Sequence, residues 1–352
     1  MDLPFLLYGE RQRCEIKVHA IKKGILGRQK KIITNEVIHA SILKITGSNP
    51  FFITALTPYP TTSYLRLSMH PPFIIHGKGL DARYENPSIL FSKDGIHWVE
   101  NIQNPVFPPP KNAKRGHGPH NCDPCLLWNS KNDKAFLFFS NWGNGVKNIR
   151  LLMSDNFFSW IDVGPTNVEI TNGSYVRVSP SVIYEDREDK FYMLLIQADL
   201  SKKEKPFLVL FQSTDGLYWI KRNESDLSTI LNGIKFYPWH ISCRKVGQEY
   251  WMLSSMNQGH LYKPPMYLFF CKTIDLIDWQ VCNRPVLKPT NEQLDEKMIY
   301  HGDFIVENNH LNLWFSSISV KNECSIYFIR GRLKEKLNND VRSNNIIRSL
   351  YR

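Results

Sequence analysis

The feature that most constrains this chain is a turn written four times. The stretches "SKDGIHW" (92–98), "SDNFFSW" (154–160), "STDGLYW" (213–219) and "TIDLIDW" (273–279) each carry Ser or Thr, any residue, Asp or Asn, then Trp four positions on. The four tryptophans, Trp98, Trp160, Trp219 and Trp279, follow one another at intervals of 62, 59 and 60 residues. A steady period with strand-like content marks a repeat architecture, in which each unit buries its apolar face against its neighbours.

Each period reads alike. An apolar strand and a polar turn lead to an aromatic strand. A variable loop then leads to a third strand that ends in the Ser-x-Asp turn. In the third unit these are "SPSVIY", "FYMLLI" and "FLVLFQSTDGLYW"; a last unit runs "DFIVEN", "LNLWFSS", "SIYFIRG" and lacks the Trp. Sheets repeated radially are propeller blades. The pattern therefore predicts an all-β, five-bladed β-propeller, with blades beginning at His39, Asp123, Ser179, His240 and Asp303. In the first blade "HASILKI" and "PFFITAL" read as the first two strands, followed by a long loop over 57–85. The last blade lacks its fourth strand, and an open edge invites aggregation. The N-terminal "CEIKVHAI" (14–21) is expected to close the ring beside "SIYFIRG" (325–331). The organisation expected is an N-terminal segment (1–34), the propeller (35–335) and a polar tail (336–352).

The repeated turn is structural punctuation. Its Asp can accept backbone amides two residues on, Gly supplies positive φ, and the Trp is expected to pin the outer strand against the next blade. Asp94, Asp215 and Asp275 are therefore not expected to be catalytic.

Strands alternate direction, so the starts of the first strands and the loops after the second strands share one face, and the starts converge on the axis. This gathers His39, Glu85, His120, Asp123, Arg177, His240, His301 and Asp303 at one mouth, with Trp142, Asp199 and Trp239 contributed by loops and strand ends. A lone His or Asp at a strand start is ordinarily a solvated end; a convergent set is not.

These strand starts, "HNCDPCLLW" above all, with the pairing of "FITALTPYP" and "YENPSILFSKDGIHW", resemble the five-bladed propeller glycosidases: the arabinanase/β-xylosidase group, the related invertase/levansucrase group, and uncharacterised bacterial and phage propellers of that kind. The resemblance spans roughly 35–335. It implies an Asp from the first blade as base or nucleophile, a second Asp that tunes pKa values and a Glu from a middle blade as acid. This chain departs from that pattern: its first blade opens with His39 and its third with Ser179, and only Asp123 occupies a matching "DP".

Glycoside hydrolysis needs two carboxyl groups, about 5–5.5 Å apart for retention and roughly 6.5–9.5 Å for inversion. Asp123 is expected to be base or nucleophile, Glu85 the acid and Asp303 the group that orients substrate. Arg177, His39, His120, His240, His301 and Asp199 would bind hydroxyls or a carboxylate, and Trp142 and Trp239 would stack on sugar rings. The net charge of +11, with Arg177 at the mouth, points to an acidic polysaccharide or oligosaccharide. Two other readings compete: a non-catalytic carbohydrate-binding propeller and a protein-interaction propeller, the latter with a broad apolar face.

The basic run "KKGILGRQKK" (22–31) accompanies no nucleic-acid motif. No apolar run approaches the ~18 residues of a membrane helix, and the N-terminus is a poor secretory signal. These features predict a cytoplasmic protein, or one released by lysis or within a phage particle. Seven cysteines at irregular spacing read as free thiols. Cys122 and Cys125 lack the second pair of a zinc ribbon, so no metal or other cofactor is expected.

Overall fold

The structure is a computed structural model describing residues 1, 3–13, 15–17, 40–44, 64–70, 86–92, 95–100, 105–108, 110–111, 119–129, 131–143, 145, 147–199, 205–259, 264–290, 296–320 and 324–334. Its regular secondary structure is all strand, and the described strands form five sheets of a β-propeller. Two strands open the chain, β1 (Phe5–Arg13) and β2 (Glu15–Lys17). The first sheet then holds β3 (Ala40–Lys44), β4 (Tyr64–His70), β5 (Asn86–Ser92) and β6 (His97–Glu100). The second holds β7 (Asn121–Asn129), β8 (Lys134–Trp142), β9 (Lys147–Ser154) and β10 (Ile161–Glu169). The third holds β11 (Tyr175–Glu185), β12 (Lys190–Asp199), β13 (Phe207–Ser213) and β14 (Ile220–Ser225). The fourth runs through β15 (Thr229–Leu231), β16 (Ile234–Val246), β17 (Glu249–Asn257), β18 (Met266–Thr273) and β19 (Gln280–Val281). The last joins β1 to β20 (Glu296–Glu307), β21 (His310–Ser319) and β22 (Cys324–Leu333), in the order β1-β22-β21-β20.

Inner strands stand side by side: β3 beside β7, then β11, β16 and β20, and β20 meets β3 again. Apolar layers fill the gaps between sheets. Phe136, Phe138 and Leu151 of the second sheet pack with Met193, Val209 and Trp219 of the third. Phe269 and Met252 of the fourth pack with Leu194 and Leu210 of the third.

Three expectations are corrected. Of residues 14–21 only Glu15–Lys17 are described, and these do not pair with the last sheet. Glu15–Lys17 runs parallel to His97–Glu100 at the edge of the first sheet, and it is β1 that pairs antiparallel with β22. The reason lies in the alternation of "FLL": Phe5 is buried and meets Phe270 edge-on at 5.5 Å, whereas Leu6 is exposed. In the first sheet the partner of β5 is Tyr64–His70; the expected strand at 50–56 lies outside the described residues. Trp219 packs backward, not forward: it meets Phe138 of the preceding sheet edge-on at 5.9 Å.

The turn itself is built as its residues dictate. Ser213 Oγ accepts the amides of Asp215 and Gly216, and Asp215 Oδ1 accepts those of Leu217 and Tyr218. Trp219 Nε1 donates to the Gly216 carbonyl at 2.8 Å. The same network recurs at Ser154/Asn156/Trp160 and Thr273/Asp275/Trp279. The fourth turn position has positive φ each time, at Gly95, Phe157, Gly216 and Leu276. These amide bonds hold the Asp275 carboxyl below its ordinary value. Asp94 lies outside the described residues.

Candidate functional site

The site begins with an irregularity shared by four inner strands. Against their partners each gains one residue: at Asp123–Pro124 in β7, Ser179–Pro180 in β11, Trp239 in β16 and Tyr300 in β20. A β-bulge of this kind bends the strand and re-aims its side chains. Asp123 and Ser179 take left-handed backbone, φ 52° and 60°, a conformation that costs a non-glycine residue on the order of 1–3 kcal/mol and needs surrounding structure to hold it.

Here the holding structure is a set of bonds from one inner strand to the next. Asp123 Oδ2 accepts the Ser179 amide at 3.0 Å. Ser179 Oγ accepts the Ile241 amide at 3.2 Å and lies 3.2 Å from His240 Nδ1. Ser242 Oγ lies 3.2 Å from His301 Nε2. Around His240 the Tyr300, Trp239 and His301 rings have centroids at 4.4, 5.6 and 5.9 Å. The structure thus brings Asp123, His240 and His301 together on the axis, all buried. Burial pushes the Asp123 carboxyl up, partly offset by the Ser179 amide and by His120.

At the rim, His120 and Trp142 stack with centroids 5.6 Å apart, and Lys147 Nζ lies over the indole. Trp239 is half-buried and packs against Cys122, Met266 and Met298. Three buried asparagines tie the first sheet to the second beside this rim: Asn141 donates to Asn121 at 2.6 Å and Asn121 to Asn86 at 2.9 Å.

Two expected residues are placed otherwise than their roles require. Arg177 stacks on Tyr175 at 4.2 Å, donates to Gln197 Oε1 at 2.7 Å and to the Glu169 carbonyl at 2.8 Å. An acidic ligand would have to compete with those partners. Asp303 lies two residues deeper than His301 and is gripped by Arg244 through two bonds of 3.1 and 2.7 Å. A narrow axial cavity lined by Pro124, Ser181, Ser242 and His301 reaches down to this pair. Asp199 is half-buried at the end of β12, opposite Tyr175. His39 and Glu85 lie outside the described residues. Among the described residues no group of three or more His, Cys, Asp or Glu is placed to hold a metal ion.

Sequence reasoning missed Ser179, Ser242, Arg244 and Tyr300. Only Ser179 left a signal: "SP" stands where the preceding unit has "DP".

No family model matches this chain. Among solved structures, the chain is similar to an N-acetylgalactosamine deacetylase from F. plautii in complex with blood group B trisaccharide, with TM-score 0.68, 18% identity, and 95% of this chain and 97% of that one covered. It is also similar to a thermostable family-43 glycoside hydrolase (TM-score 0.57, 12% identity, 85% and 91% covered). An endo-arabinase from Bacteroides thetaiotaomicron aligns with TM-score 0.54 and 10% identity over 85% and 94% of the two chains. The fold is that of the glycoside-hydrolase propellers. The resemblance drawn from "HNCDPCLLW" and its neighbours is borne out in fold. A curated relative, the A type blood N-acetyl-alpha-D-galactosamine deacetylase of Flavonifractor plautii, is 26% identical over 283 residues, 67% of this chain and 36% of that protein. The chain thus spans about a third of that relative's length.

Proposed function

We propose that the chain is a carbohydrate-acting hydrolase working at the mouth of a closed, five-bladed ring, one blade per sheet, sealed by Phe5–Arg13. The reaction class we favour is removal of an N-acetyl group from an amino sugar: water adds to the acetyl carbonyl, the C–N bond breaks, and acetate and a free amine leave. The observation that carries this choice is the chemistry at the axis. One carboxylate, Asp123, stands with two imidazoles, while the second carboxylate, Asp303, is held by Arg244. Amide hydrolysis needs one base to activate water, one acid to protonate the leaving nitrogen, and donors for the oxyanion. Asp123 would serve as base; His240 and His301 would serve as acid and oxyanion donor. The likeness to a named deacetylase supports this reading.

Glycosidic cleavage is the second reading. It draws on Glu85, the neighbour of Asn86, whose side chain is bonded to Asn121 two residues before Asp123. In that case Glu85 is the acid and Asp123 the base or nucleophile.

Product analysis separates the two. The purified protein is incubated with N-acetylgalactosamine-terminated and N-acetylglucosamine-terminated oligosaccharides and with aryl glycosides, with and without EDTA. Release of acetate and amine without new reducing ends supports deacetylation; new reducing ends support glycosidase action. Neither product from any substrate, with oligosaccharide still bound, points to the non-catalytic carbohydrate-binding reading. Loss on EDTA treatment would add a divalent ion to the reaction.

A further inference from the structure

Ser179 is the residue that departs from the acid expected at a blade start, and it occupies the centre of the axial network. Its amide bonds the Asp123 carboxylate at 3.0 Å, and its hydroxyl contacts His240 Nδ1 at 3.2 Å. It is 1% exposed, in a left-handed conformation that the chain has no local reason to adopt before a proline. Such conformations persist where surrounding structure imposes them, and they cluster at functional sites.

We propose that Ser179 is the positioning residue of this site: it sets the tautomer of His240 while orienting Asp123. This rests on the mouth being the reaction centre, as proposed above. The hydroxyl has one proton to give. Its oxygen already accepts the Ile241 amide at 3.2 Å, and the Ile241 carbonyl at 3.5 Å is beyond the usual O–H···O range. We assign the proton to the nearer of the two acceptors, His240 Nδ1 at 3.2 Å and not the Ile241 carbonyl at 3.5 Å, so that Nδ1 is unprotonated. On this assignment the His240 proton sits on Nε2. The groups facing His240 are Tyr300 and His301 from β20, Trp239 from its own strand and Ser179 from β11, with Asp123 beyond Ser179. In the reaction a fixed Nε2–H is a donor ready for the oxyanion or the leaving group. A ring free to exchange tautomers would present it only part of the time.

The test is Ser179→Gly. Glycine accepts positive φ without strain and keeps the amide that bonds Asp123, so only the hydroxyl is lost. Nitrogen-15 NMR of the imidazoles, with His240 assigned through His240→Gln, reads the tautomer without any substrate. The wild type is expected to show the Nε2–H form and Ser179→Gly a mixture. On whichever substrate is turned over, kcat should fall on the order of 10–100-fold with KM nearly unchanged, a fraction of the roughly 100–10,000-fold that proton transfer contributes. Ser179→Thr, which keeps the hydroxyl, should restore the Nε2–H signal. A wild-type Nδ1–H form overturns the proposal even if the variants do not fold. So does an unchanged His240 spectrum in Ser179→Gly. A chain inactive on every substrate, yet showing the tautomer shift, would sink the functional reading and leave the role of Ser179 standing.

Discussion

Gly95→Ala tests whether the first sheet seals against the last. Gly95 has φ +76°, and a Cβ built there would lie 2.6 Å from Trp314 Cζ2. Trp314 cannot swing aside: it is 1% exposed, packs on Phe328 at 5.1 Å, and donates from Nε1 to the Gly95 carbonyl at 2.6 Å. The left-handed conformation costs an alanine about 1–2 kcal/mol. Forcing a carbon into a filled core costs about 1–3 kcal/mol more. The total is roughly 2–5 kcal/mol, or on the order of 3–7 °C in Tm for a chain of this size. Gly233→Ala is the matched control, because it has φ +77° and no atom within 4 Å; it should lose only the conformational part, about 1–2 kcal/mol. Scanning calorimetry and urea unfolding of both variants give the difference. Equal losses would mean that Trp314 does not press on the Gly95 turn, and the contact between the first and last sheets would have to be redrawn.

Trp219→Ala should cost about 3–5 kcal/mol of stability with ligand affinity unchanged, since Trp219 is 3% exposed between the second and third sheets; an undiminished urea midpoint would contradict this packing. Arg244→Met should destabilise by about 3–5 kcal/mol by leaving Asp303 unpaired in the interior, and the double variant Arg244→Met/Asp303→Leu should recover most of that; a single variant as stable as the parent would show that Asp303 has another counter-ion. Asp123, pushed up by burial, should give kcat/KM an acid limb above the ~3.9 of a free Asp, and Asp123→Asn should abolish turnover; retained turnover removes Asp123 from the chemical step. The same raised pKa means that the folded state holds the Asp123 proton more tightly than the unfolded state. Stability from this group therefore declines as pH rises from ~4 through the folded pKa, and Asp123→Asn should gain relative to wild type between pH 4 and 7 in urea titrations.

The turn was legible because its chemistry is local. Ser213, Asp215 and Gly216 make their bonds within four residues of one another, so the spacing in the chain is the spacing in space. The period of the tryptophans gave the repeat, and strand alternation gave the face on which Asp123, His240 and His301 meet. The resemblance of "HNCDP" to propeller glycosidases added the fold family, which the structural likenesses bear out.

What the chain by itself determined is therefore what recurs or acts within one unit: strands, turns, the period and the level at which the inner strands begin. Tertiary structure alone decided the rest. Phe5–Arg13 pairs with Cys324–Leu333 because Phe5 finds its pocket against Phe270, far along the chain. Arg177 turns to Gln197 and Tyr175, Asp303 is taken by Arg244 from the neighbouring sheet, and Ser179 joins Asp123 to His240. Bonds between sheets link residues some sixty positions apart whose side chains are aimed by bulges. A bulge adds one residue to a strand without altering its apolar pattern, so the direction in which a polar side chain points is fixed only when neighbouring sheets pack and their buried donors and acceptors must find partners.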